Sequence, residues 1–184
     1  MQNKPEVVYL IILGYGVDLY KLRNYLDYVV SCYKKLQIDH PKARIIIIPT
    51  GGYTMRHSMP NFCEALVIGD YLANNGIYVD CFEKAATTTR QNFEGVAEFL
   101  HDGIISPANE IYITADWCRS FKARIFCRYF LGRWPHVLSF QLTKSWLSKL
   151  IQLLIILPAE ILALWWPWLE ARQLAHRQKQ IKNS

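Results

Sequence analysis

The feature that most narrows the fold of this chain is a repeated exchange between two hydrophobic periods. Residues 7–13 are an unbroken apolar run, as a strand covered on both faces requires, and the run ends in Gly14-Tyr15-Gly16. From Asp18 to about Leu36 the apolar residues Leu22, Leu26, Val29, Val30 and Tyr33 recur at helical spacing. Residues 43–48 form a second β-branched strand, which Pro49 is expected to cut off. A helix over about 61–74 should stop at Asn75-Gly76. The pattern then predicts a third strand over 77–82, a helix over 89–101 and a fourth strand over 110–114. A helix through Phe121, Ile125, Phe126 and Phe130 to Gly132 follows, then a fifth strand over 137–142. Strands alternating with helices of this length imply right-handed crossovers and a parallel sheet. The expected fold is a doubly wound, three-layer α/β domain of about five strands with helices on both faces.

A length of 184 residues suits one domain with a proper core. The composition, 52% apolar and 20% charged, is that of a globular chain, with the apolar excess crowded into the last quarter. Residues 1–143 are read as the α/β domain, and 144–184 as a hydrophobic C-terminal helix with a basic tail packed on the same domain. The polar residues 1–6 and the short run after them lack the pattern of a signal peptide, so that run is read as a buried strand. Five cysteines with no C-x-x-C pair suggest neither a disulfide framework nor a zinc site, and buried reduced thiols are expected. The net charge of +6 favours anionic partners. Basic residues recur after position 119 (Arg119, Lys122, Arg124, Arg128, Arg133) and again in the tail, and both a solvated face and an anion-attracting one fit them. No nucleic-acid motif accompanies them, and nucleic acid is not expected as a partner.

In parallel sheets of this kind ligands bind beyond the carboxyl ends of the strands, near helix N-termini. That rule selects Gly14 and Gly16 after the first strand, with Arg23 in the helix that follows. It selects Thr50, Gly51 and Gly52 after the second strand, with Glu64 at the next helix start. Glu83, Thr88, Thr89 and Asn92 follow the third strand, and Thr114 and Asp116 the fourth. Glycines let backbone amides approach a ligand, threonine hydroxyls and helix N-terminal amides donate to oxyanions, and Arg23 can add a bidentate contact. The same residues can also simply end strands and cap helices. Gly14-x-Gly16 lacks the third glycine of a dinucleotide fingerprint, and no phosphate-loop lysine motif occurs. Glu64, Glu83 and Asp116 are the candidates for acid–base work or for holding a divalent cation, and a nucleotide-type ligand is the other cofactor expectation. Cys118 beside Arg119 is a candidate nucleophile without an obvious histidine base.

Leu13-Gly14-Tyr15-Gly16, Arg23, Pro49-Thr50-Gly51-Gly52, Glu64-Ala65, Glu83, Thr89-Arg90-Gln91-Asn92 and Thr114-Ala115-Asp116 stand in an order and spacing that resembles the YdcF-like (SanA/ElyC-type) domain of unknown function. The resemblance spans roughly residues 7–168. It implies a Rossmann-like fold, a polar pocket at these turns and a link to bacterial envelope biogenesis. Against that pattern Cys118 stands where a histidine is usual, Gln91 where a glutamate is usual and Cys63 where a serine is usual. The best acid–base groups are thereby lost, so binding is expected to be kept more readily than catalysis.

Residues 146–169 are almost wholly apolar and carry Trp165, Trp166 and Trp168 beside the basic tail. A packed terminal helix, self-association, attachment to a membrane surface and a membrane span all fit such a segment, with Lys149, Gln152, Pro158 and Glu160 weighing against the span. Three functions remain open at this point. One is binding of a small phosphate- or nucleotide-bearing ligand in envelope-related metabolism. The second is a hydrolase or group transferase acting on a phosphorylated or lipid-linked substrate. The third is a non-catalytic protein of the membrane surface. The expected location is cytoplasmic, with peripheral contact at the inner membrane.

Overall fold

The computed structural model describes residues 7–15, 19–53, 62–101 and 110–141, with scattered positions between 150 and 175. Its elements are β1 (Val7–Ile12), α1 (Leu19–Asp39), β2 (Arg44–Pro49), α2 (Glu64–Asn74), α3 (Thr89–His101), β3 (Glu110–Asp116), α4 (Trp117–Leu131), β4 (His136–Phe140) and α5 (Leu157–Leu162). The four strands form one parallel sheet in the order β2-β1-β3-β4, a Rossmann-like α/β arrangement. Ile12 is level with both Pro49 and Thr114, and Asp116 with Phe140. The carboxyl ends of the four strands therefore lie along one margin of the sheet.

Side-chain alternation assigns the strands to two cores. Tyr9, Ile11 and Leu13 cluster with Phe93 and Val96 of α3 and with Ala123, Phe126 and Cys127 of α4. Leu10 and Ile12 cluster with Leu22, Tyr25, Leu26 and Val29 of α1 and with Ile68 and Leu72 of α2. β1 is buried along nearly its whole length, which explains why its sequence shows no polar alternation. Leu164 is buried in the first cluster, so the C-terminal segment contributes a side chain to the core on the α3–α4 side. All five cysteines are free thiols. Burial pushes the Cys127 thiol up to about 12.

Two expectations change. The third strand, read over 77–82, is reduced to an isolated parallel bridge between Thr50 and Glu83, leaving four strands among the described residues rather than five. Asp80 is the cause. Its backbone N–H donates to the Ile47 carbonyl at 3.2 Å, while its carboxylate accepts the Ile47 N–H at 2.9 Å and pairs with Arg44 at 2.9 Å. A side chain thus takes the place of a backbone acceptor, and the regular ladder stops. Pro49, expected just beyond the second strand, is its last residue. Parallel pairing turns Pro49 toward the irregular segment, where its carbonyl accepts the Glu83 N–H at 3.0 Å and the N–H it lacks is not called for. The ring of Phe82 lies against Gly69 of α2, where a Cβ would collide with it.

In α4, Phe121 and Trp117 face outward rather than inward, each more than half exposed. Among the described residues no helix is long and apolar enough to cross a membrane.

Candidate ligand site

The turn after β2 is built around close backbone approaches. Gly51 has φ +116°, in the region that favours glycine. A Cβ on Gly51 would lie 2.7 Å from Glu64 Oε2, and one on Gly14 would run into the same oxygen and stand 2.7 Å from the Thr50 carbonyl oxygen. The buried Glu64 carboxylate therefore rests on the bare backbones of Gly14 and Gly51, at the first residue of α2 where the helix dipole favours an anion. Gly52 is pressed in the same way against the carbonyls of Lys84 and Ala86.

The amides of this turn are already engaged. Thr50 N–H donates to Ile12 O (2.8 Å), Gly51 N–H to Glu83 O (3.1 Å) and Gly52 N–H to Ala86 O (2.7 Å). The first amides of α2 are engaged as well: Glu64 N–H donates to Gly52 O and Ala65 N–H to Gly51 O. The Thr50 hydroxyl donates to Ile12 O at 3.2 Å. The glycines thus serve close packing around a carboxylate, and the oxyanion cradle expected from the sequence is not formed by these amides.

Glu83 lies beside this turn, buried. Its Oε1 accepts the N–H groups of Ala85 (2.8 Å) and Ala86 (2.9 Å), and its Oε2 lies 3.4 Å from the Gly51 nitrogen. Burial raises its pKa, and these three amides offset only part of the rise. Gly95 of α3 admits the Glu83 side chain, since a Cβ there would lie 2.5 Å from Glu83 Cγ. Thr88 is the N-terminal cap of α3, its hydroxyl accepting the Gln91 N–H at 3.1 Å, and Gln91 Oε1 accepts from both the N–H and the hydroxyl of Thr87. Thr89 opens the helix. Asn92 lies one turn before Gly95 on the same helix. It is more than nine-tenths buried, and its Oδ1 has no hydrogen-bond partner among the described residues.

A second group occupies the seam between β1 and β3. The Tyr25 hydroxyl donates to Leu13 O at 2.9 Å and lies 2.7 Å from the Thr114 hydroxyl. Tyr15 packs edge-on against Tyr25, its centroid 5.1 Å away, and its hydroxyl accepts the Asp116 N–H. The Arg119 guanidinium lies 4.7 Å from the Tyr15 ring centroid. Burial raises both phenols well above the usual tyrosine range, so both stay protonated and able to donate. Cys118 donates to Asp116 Oδ2 at 3.4 Å.

The structure thus brings together Gly14, Thr50, Gly51, Gly52, Glu64 and Glu83, with Gly95 of α3 against Glu83 and Thr88 and Asn92 in the first turn of the same helix. Thr114 and Asp116 belong to the tyrosine group next to them. Arg23, expected at the same turns, is exposed on α1 and lies beside Tyr71, about two turns along α2 from Glu64. Gly16 lies outside the described residues. Among the described residues no three His, Cys, Asp or Glu side chains are placed to hold a metal ion. The oxygens of Glu83 are taken up by backbone amides and Asp116 sits with Tyr15 and Cys118, so Glu64, Glu83 and Asp116 do not converge as a cation site. Sequence reasoning did not single out Tyr15, Tyr25 or Gly95 for the site. Tyr25 carries only the signature of the buried face of α1, and nothing in the sequence marks Gly95 as the seat of Glu83. Compared with family models, curated proteins and solved structures, the chain matches none.

Proposed function

We propose that the chain is a Rossmann-like, three-layer binding domain of YdcF-like character that takes a small phosphate- or nucleotide-bearing ligand at the carboxyl ends of β1, β2 and β3, in envelope-related metabolism. Asn92 carries the reading. A buried amide oxygen without a partner costs roughly 1–3 kcal/mol, a cost that a ligand donor can remove. At the turn after β2 the buried Glu64 carboxylate favours donor groups such as sugar hydroxyls, because a carboxylate only accepts. The anionic part of the ligand finds its counter-charge at Arg119 and its neutral donor at the Tyr15 hydroxyl, on the β3 side.

Thermal-shift titration with inorganic phosphate, nucleotides, sugar nucleotides and polyprenyl phosphates tests this. At a hundred times its dissociation constant, a true ligand stabilises the fold by about 2.7 kcal/mol. That corresponds to a rise in Tm of roughly 5–10 °C for a chain of this size. Asn92→Ala should abolish the rise while leaving the melting point of the ligand-free protein unchanged or higher, since it deletes an unsatisfied acceptor. The reading fails if no anion stabilises the wild type, or if Asn92→Ala responds as the wild type does.

A further inference from the structure

α4 has an outward stripe that neither the core nor the ligand site uses. Trp117, Phe121, Arg124 and Arg128 follow one another at intervals of four, three and four residues, which places them within about 60° of arc on one face of the helix. All four are exposed, the two aromatics by more than half. The opposite face carries the buried Cys118, Lys122, Ala123, Phe126 and Cys127. Large aromatic side chains this exposed, rimmed by charge, mark an interaction surface.

The charge of the region says what that surface meets. From residue 117 to residue 159 the sequence contains no Asp or Glu and seven Lys or Arg, so every carboxylate of the chain lies outside this stretch. A helix face pairing Trp and Phe with arginines, unrelieved by acidic residues, has the chemistry of an element lying in the headgroup region of a bilayer. Exposed apolar residues also occur after α4 in the sequence. Leu164 is buried with Phe126 and Cys127, and in the same C-terminal part of the sequence Leu154, Ile155 and Trp166 are each at least half exposed. Nucleic acid would reward the arginines and the rings but not exposed Leu154 and Ile155.

We infer that the Trp117–Phe121–Arg124–Arg128 stripe of α4 docks the protein on an anionic lipid surface. The rings enter the interface and the arginines pair with lipid phosphates, holding the α3–α4 side of the sheet against the membrane. This surface does not depend on the ligand proposed above, and its test does not involve that ligand.

The test is flotation of the full-length protein with vesicles of neutral phosphatidylcholine, and with vesicles containing 30% phosphatidylglycerol, at low and high salt. The wild type should float with the anionic vesicles, much less with the neutral ones, and be released by about 0.5 M salt, where screening length falls to a few ångströms. Arg124→Gln/Arg128→Gln should weaken binding to anionic vesicles by roughly 30-fold, about fivefold for each charge removed. Trp117→Ser/Phe121→Ser should weaken it on both kinds of vesicle. The secondary structure seen by circular dichroism should be unchanged, and because Arg128 also donates to the Gly132 carbonyl at the end of α4, Arg128→Gln should lower the melting point by no more than a few degrees. The inference is overturned if the wild type does not float, if either double variant floats as well as the wild type with residues 146–169 intact, or if the stripe variants abolish self-association or nucleic-acid binding and leave flotation unchanged.

Discussion

Gly14 shows how far a single position can be read. Its place after the first strand was legible, because glycines ending parallel strands mark the ligand margin of such sheets. Its reason was not: it exists to seat a side chain fifty residues downstream, and no local pattern reveals that. Gly14→Ala should cost roughly 2–3 kcal/mol, since one of the clashing atoms is the Thr50 backbone oxygen and cannot rotate away. Gly76→Ala, with φ +73° and open space around it, should cost about 1 kcal/mol. Urea unfolding of the two variants should show that order. Glu83 supports a second prediction at this scale. Burial holds its folded pKa above that of an ordinary glutamate. The folded chain therefore keeps this proton to higher pH than the unfolded chain does. Stability from the group is complete below the unfolded value and is lost as pH rises through the folded one. Urea midpoints measured from pH 4 to 8 should show the wild type losing ground to Glu83→Gln as pH rises, whereas a constant gap would mean that the buried carboxyl does not titrate this way.

At the scale of elements, periodicity found β1, α1, β2, α2, α3, β3, α4 and β4 to within a few residues. The run at 77–82 misled because an edge strand and an extended segment share the same apolar composition, and only the bonding of Asp80 separates them. Asp80→Ala should leave the Ile47 N–H without its acceptor at the margin of β2 and cost about 1–3 kcal/mol. Asp80→Asn, which keeps one oxygen, should cost less, and hydrogen exchange at the Ile47 amide should quicken in the alanine variant. If exchange there is unaltered, the carboxylate is not what holds that edge. The outward turn of Phe121 was missed for a related reason. With apolar residues on both sides of α4, the helical period cannot say which side meets the sheet, and only the buried Phe126 and Cys127 decide it.

For the molecule as a whole, the α/β class and the margin of the sheet where chemistry would gather were legible, because both follow from the order of elements. The division of that margin was not. Whether a polar group faces a ligand or a neighbour depends on residues brought in from elsewhere: Tyr25 on Thr114, Glu64 on Gly14, Tyr15 on Asp116. One consequence concerns time. β1 lies at the centre of the sheet, yet its partner β3 is made about a hundred residues later. Until then a growing chain carries Val8 to Ile12 with one side unzipped, and Tyr25 has no Thr114 to grasp. Emergence from the ribosome is thus the stage at which this protein is most open to wrong pairing, and a fragment ending before residue 110 should be sticky rather than merely incomplete.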